Sequence, residues 1–106
     1  MSIEAHIIGL TIDHVLEIHD YIQIYFTNGD IMNLNNRYEC QPADLESFKN
    51  EVIDRMIDDD SELVLITKSG FAIRMGMLYK DVNGPEAAEF YRDGSDGEII
   101  IWEQVN

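Results

Sequence analysis

Basic residues are scarce in this chain: seven Lys and Arg stand against 21 Asp and Glu over 106 residues, a formal net charge of −14. A field of that sign repels nucleic acid and anionic membrane and attracts basic partners. Cysteine is nearly absent as well. Cys40 stands alone, so no intrachain disulfide forms, and the usage fits a reducing compartment. No run approaches the roughly 18 apolar residues of a membrane span. The N-terminal stretch, Met1-Ser2-Ile3-Glu4-Ala5-His6, has no basic n-region, and Asp13 and Glu17 interrupt the apolar residues that follow, unlike a secretory signal. The expectation is a soluble, cytoplasmic chain.

Apolar residues are plentiful, at 45% of the chain, which separates it from a disordered acidic tail. The length suits one domain spanning residues 1–106. Ile22, Ile24 and Phe26 alternate with polar or amphipathic residues, Asn28-Gly29 follows, and Met32 and Leu34 resume the alternation. This predicts a β-hairpin with a type I′ turn. A second hairpin is predicted around Gly70. Aligning Gly29 with Gly70 superposes Ile22 on Leu63, Ile24 on Leu65, Met32 on Ile73 and Leu34 on Met75. Two hairpins of one design suggest one antiparallel sheet with a pseudo-repeated half, although any two hairpins share a period of two.

Between the hairpins, Leu45, Phe48, Val52 and Met56 fall at helical spacing, widened by Ile53 and Ile57. Pro42 suits a first turn, Asp44 and Glu46 suit the positive end of the dipole, and Asp58-Asp59-Asp60 ends the segment. The spacing predicts a helix over Pro42–Ile57. Ile7–Ile12 reads as a strand with a bulge at Gly9, continued by Val15, Leu16 and Ile18 as a bent strand. Gly84-Pro85 opens a turn before a short helix or irregular stretch to Tyr91. Asp93–Gly97 reads as a loop, and Glu98–Glu103 as a last strand, apolar enough to be central or covered on both faces. The predicted fold class is α+β: an antiparallel sheet of about five or six strands, built from two hairpins plus terminal strands, with one main helix packed on one face.

Catalytic constellations are thin. Asp13-His14 and His19-Asp20 place carboxylates beside histidines, but neighbours on a strand point to opposite faces. Cys40 lies between Glu39 and Gln41, where a carboxylate raises the thiol pKa and blunts reactivity. Three histidines and one cysteine show no zinc spacing, and Asp93-Gly94-Ser95-Asp96-Gly97-Glu98 lacks the ligand order of an EF-hand. No phosphate-cradling glycine loop occurs. The expectation is no enzyme, no cofactor and no metal.

The carboxylates remain. Nine lie between Glu39 and Glu62 against Lys49 and Arg55, and seven lie from Asp81 to the end against Arg92. Asp58-Asp59-Asp60 with Glu62 packs four acids into five residues, a density that a cationic docking surface would rationalise. Ile22–Gly29, the hairpin around Gly70, Gly84-Pro85-Glu86-Ala87 and the terminal Ile100-Ile101-Trp102 are spread over most of the chain. In this arrangement the chain resembles the small acidic immunity proteins of bacterial polymorphic-toxin and contact-dependent inhibition systems. The resemblance implies a non-enzymatic inhibitor of a cognate toxin domain. If that toxin is a nuclease, the acids would occupy its phosphate groove. Candidate contact residues are Asp54, Asp58, Asp59, Asp60, Glu62, Tyr91, Asp93 and Asp96, with Tyr21 and Tyr25 as further aromatic hot spots. The alternative is a structural or adaptor subunit, monomeric or homodimeric, that pairs through an edge strand.

Overall fold

Each hairpin closes by the same three-residue loop. Phe26 accepts from Gly29 N–H at 3.0 Å and donates to Asp30 C=O at 2.9 Å; Thr67 accepts from Gly70 N–H at 2.9 Å and donates to Phe71 C=O at 2.8 Å. Gly29 and Gly70 take φ of 95° and 90°, whereas Asn28 does not enter the left-handed region. The loop is therefore a type I turn completed by a left-handed glycine, not the type I′ turn expected from Asn-Gly. Asn28 serves instead by its side chain, accepting from Asp30 N–H at 2.9 Å.

The computed structural model describes residues 4–92 and 99–104. In chain order the elements are a one-turn helix α1 (Glu4–Ile7), β1 (Ile12–Ile18), β2 (Tyr21–Phe26), β3 (Ile31–Leu34), β4 (Tyr38–Gln41), a 3-10 turn (Leu45–Phe48), β5 (Ile53–Asp58), β6 (Glu62–Thr67), β7 (Ala72–Gly76), a second 3-10 turn (Tyr79–Asp81), β8 (Glu86–Tyr91) and β9 (Ile99–Glu103). They form two antiparallel sheets, ordered β1-β2-β3-β8-β9 and β4-β7-β6-β5. The fold is nearly all β, which overturns the α+β expectation, and the two hairpins lie in different sheets rather than one.

The chain is internally duplicated, well beyond the hairpins. Positions 41 apart are equivalent from α1 to β3 and from the first 3-10 turn to β7: Ile7 with Phe48, Ile12 with Ile53, Ile24 with Leu65. Backbone bonds repeat with them. Gly9 N–H donates to Ile53 C=O and Asn50 N–H to Ile12 C=O, both at 2.8 Å. Thr27 donates to Thr11 and Lys68 to Val52, both at 2.9 Å. Thr11 and Val52 are themselves equivalent and bridge antiparallel, which puts the pseudo-twofold axis between them. The fourth strands are exchanged between halves: β4 pairs with β7, and β8 with β3. Met75 faces Tyr38 as Leu34 faces Ala88. Among the described residues, β9 and the second 3-10 turn have no counterpart.

The predicted helix over Pro42–Ile57 is replaced by the Leu45–Phe48 3-10 turn and β5. Asp44 caps the turn by accepting from Glu46 N–H at 3.1 Å, Lys49 is extended, and Asn50 takes φ 72°, which stops helical propagation. Val52, Ile53 and Ile57 are β-branched and suit a pleated strand. A bulge between Ile53 and Arg55 then brings Ile53 and Met56 inward at a spacing of three, imitating a helical stripe. The same bulge between Ile12 and His14 buries Ile12 and Val15.

Ile7 belongs to α1 rather than to a strand, and Gly9 makes a left-handed turn at φ 89°. Glu86–Tyr91 is a strand because β3 and β9 satisfy both of its edges, overriding the helix propensity of its Glu and Ala residues. β9 is an outer strand, not a covered one: Ile100 and Trp102 pack on the core while Ile99 and Ile101 stay about half exposed, at 50% and 49%. Between the sheets, Ile22, Ile24, Phe26, Met32, Leu34 and Phe90 meet Leu63, Leu65, Ile73 and Met75, with Ile7 and Phe48 also buried. Burial of such side chains contributes roughly 1.5–3 kcal/mol each.

Candidate functional site: the outer face of the five-stranded sheet

Strand alternation sends Ile22, Ile24 and Phe26 into the core and Tyr21, Gln23 and Tyr25 outward. Register carries the outward set across the sheet. His14 faces Tyr25, Tyr25 faces Ile31, Ile31 faces Tyr91 and Tyr91 faces Ile99, so one cross-strand row of aromatic and aliphatic side chains spans all five strands. The neighbouring row is Leu16, Gln23, Asn33, Glu89 and Ile101, apolar at its ends and polar in the middle. The imidazole of His14 stacks on Tyr25 with centroids 4.3 Å apart and planes 9° from parallel.

The polar middle is wired together. Glu89 Oε1 accepts from Asn35 Nδ2 at 3.1 Å and from Asn33 Nδ2 at 3.4 Å, and Tyr25 donates to Gln23 Oε1 at 2.9 Å. Asn33 Oδ1 is buried without a hydrogen-bond partner among the described residues. Burial, followed by the negative charge of Glu89, raises the Tyr91 hydroxyl above the ordinary tyrosine value and keeps it a neutral donor.

Charge on this sheet is one-sided. None of its five strands carries Lys or Arg, whereas β1, β8 and β9 carry Asp13, Glu17, Glu86, Glu89 and Glu103. Asp13 and His14 were expected on opposite faces, yet His14 Nδ1 and Asp13 Oδ2 lie 2.6 Å apart. The bulge at Asp13 brings the neighbours together. Its duplicate does likewise for Asp54 and Arg55, 4.0 Å apart.

The acidic candidates divide between the sheets. Asp54 and Asp58 lie on β5, Asp59 and Asp60 in the turn after it, and Glu62 at the start of β6, all in the four-stranded sheet. Tyr91 lies on the five-stranded sheet; Asp93 and Asp96 fall outside the described residues. Asp59 Oδ1 accepts from Ser61 N–H at 2.8 Å, Ser61 Oγ at 2.9 Å and Glu62 N–H at 2.9 Å, so it builds the turn, and these bonds hold its pKa below the usual carboxylate value. Glu62 pairs with Arg74 at 3.1 Å, and Asp60 is exposed. Trp102 Nε1 donates to Asp58 Oδ2 at 3.2 Å, joining the acidic turn to the β9 margin of the aromatic face.

Sequence reasoning found Tyr21, Tyr25 and Tyr91 separately and missed His14, Ile31 and Ile99. Hairpin register alone pairs Tyr25 with Ile31, whereas the β3–β8 pairing that adds Tyr91 has no local signal. Among the described residues, no group of three or more His, Cys, Asp or Glu is placed to hold a metal ion, and no helix is long and apolar enough to cross a membrane. Compared with known proteins, the chain matches no family model, no curated protein and no solved structure.

Proposed function

We propose that the chain is a non-enzymatic binding module that docks a basic protein surface through the outer face of its five-stranded sheet, and that it thereby neutralises a toxin domain. The observation that carries this reading is the aromatic–aliphatic row from His14 to Ile99 on a sheet whose strands bear carboxylates and no cation. Aromatic residues at the centre of a patch supply hot-spot energy, and charge around them steers encounter. The partner class comes from the resemblance to acidic immunity proteins. A nuclease toxin fits best, because its substrate groove is basic and the carboxylates from Asp58 to Glu62 adjoin the β9 margin. Occlusion of that groove, rather than chemistry on the toxin, is the mode of action.

The reading is tested by sequencing the reading frame directly upstream of its gene and, where that frame ends in a toxic domain, co-expressing the two; an upstream frame with no toxic domain counts against the reading. Growth should be restored, and Tyr25→Ala with Tyr91→Ala should abolish protection while the protein stays folded. The association rate should fall steeply as salt rises from about 50 to 500 mM, across which the screening length shrinks severalfold. Full protection by the double variant, or a rate indifferent to salt, would sink the proposal.

A further inference from the structure

The internal twofold exposes one position that a strand fills in one half and that no described residue fills in the other. In the five-stranded sheet, β9 adds antiparallel to β8, with Ala88 facing Trp102 and Phe90 facing Ile100. The equivalent of β8 is β4, and among the described residues β4 pairs only with β7. Gly76 N–H donates to Arg37 C=O at 2.9 Å, as Asn35 N–H donates to Ala87 C=O at 2.9 Å. Ladder alternation then turns the N–H and C=O groups of Tyr38 and Cys40 away from β7, as those of Ala88 and Phe90 turn toward β9.

The gap beside β4 is spanned by a side chain. Trp102 of β9 reaches Asp58 on β5; in the other half Tyr38 donates its hydroxyl to Glu17, the equivalent of Asp58 on β1. Tyr38 thus stands where β8 has the small Ala88, and its ring takes over the role of the missing Trp. Farther along β1, a groove of about 420 Å³ lies between His14, Val15 and Leu16 and the Leu45, Glu46 and Lys49 of the 3-10 turn.

We propose that the outer edge of β4 is a strand-addition site, occupied by an extended segment of a basic partner protein lying antiparallel to β4. Its main chain would bond Tyr38 and Cys40, and its inward residues would take the places that Ile100 and Trp102 take on β8. Glu17 and Glu39 border the edge with Arg37 just before it, and Glu46 and Lys49 offset each other in the groove along β1, so the basic character of the partner follows from the charge of the whole chain. A second copy of this chain, itself at −14, is the wrong occupant electrostatically. The β4 edge belongs to the four-stranded sheet, whereas His14 and Leu16 of the groove also belong to the rows of the Tyr25–Tyr91 face; the inference rests on the β4 edge and stands whichever partner that face binds.

The probe is the synthetic peptide Lys-Lys-Thr-Ile-Thr-Trp-Lys-Lys, read by amide hydrogen exchange on the full chain. Saturation should slow exchange at residues 38 and 40 by at least tenfold while leaving the amides of β9 unchanged. Tyr38→Ala, which recreates Ala88, should bind the peptide about tenfold more tightly. N-methylation of the peptide's Ile and Trp nitrogens should abolish binding to the native chain, which keeps the test independent of how well the variant folds. Equal binding by the methylated peptide would reduce the interaction to charge and overturn the proposal. So would protection confined to another edge, or a homodimer in solution that protects residues 38 and 40 with no peptide present.

Discussion

Gly9 and Asn50 occupy equivalent positions, both in the left-handed region at φ 89° and 72°, and both donate 2.8 Å backbone bonds across the pseudo-twofold axis. A side chain on Gly9 would meet nothing within 4 Å, so its replacement isolates backbone strain from packing. Gly9→Ala should cost about 1–2 kcal/mol for left-handed backbone, offset by roughly 0.5 kcal/mol from the restricted unfolded chain. The net loss of about 1 kcal/mol corresponds to a fall in Tm of roughly 4–8 °C. Asn50→Ala should lose a similar amount, because it removes the residue type that tolerates this conformation. Gly9→Asn should lose less than half as much as Gly9→Ala. Thermal and urea unfolding of the four proteins followed by circular dichroism, with unchanged m-values, is the assay. A neutral Gly9→Ala, or Gly9→Asn as damaging as Gly9→Ala, would refute the claim that the conformation of the axis residues constrains the fold.

Asp59→Ala should destabilise the β5–β6 turn, whereas Asp59→Asn keeps an acceptor for Ser61 and Glu62 and should cost less. Because the folded-state pKa of Asp59 is depressed, its contribution is present above the ordinary carboxylate value and is lost as pH falls through the folded value; the gap between native and Asp59→Asn in urea unfolding should narrow on acidification. Burial, then the charges of Glu17 and Glu39, push the Cys40 thiol up to about 11, so its alkylation by iodoacetamide at pH 8 should run well below the rate of a free cysteine peptide and rise with pH. Gly76→Ala would place a methyl 2.2 Å from Asp81 Oδ2. Its unfolding free energy should drop by about 1–3 kcal/mol, and Asp81→Gly in the same chain should recover part of the loss.

The two hairpins were legible because their determinants are local: a left-handed glycine and two or three alternating apolar residues on either side. The strands that precede them were not, and the bulge is the physical reason. By inserting one residue it moves Ile53 and Met56 to a spacing of three, and Ile12 and Val15 likewise, so a strand acquires the signature of a helix. Strand exchange hid the rest. Nothing near Tyr38 or Glu86 in sequence indicates that β4 and β8 cross to each other's sheet, because those pairings are set by the shape of the shared core. Tyr21 and Tyr25 were therefore readable as outward residues of one strand, while their union with Tyr91 and Ile99 depended on contacts that join the halves.

Duplication supplies an internal control for deciding which residues answer to the fold. Inward positions match in kind: Ile22 with Leu63, Ile24 with Leu65, Met32 with Ile73, Leu34 with Met75, all buried. Outward positions diverge. The row His14, Tyr25, Ile31, Tyr91 corresponds to Arg55, Ile66, Ala72, Gln41, and Asn33 corresponds to Arg74. The same scaffold thus accepts Ile in place of Tyr25, Gln in place of Tyr91 and cations on the sheet, so none of these aromatic choices is imposed by packing. An aromatic row on one copy, together with the exclusion of Lys and Arg from all five of its strands, is what the fold leaves unexplained and a basic partner would explain. The bulk charge of −14 is compatible with mere solubility; acids lie on both sheets, and what favours recognition is that Arg55 and Arg74 accompany them on the four-stranded sheet while no Lys or Arg does so on the five strands that carry the tyrosines.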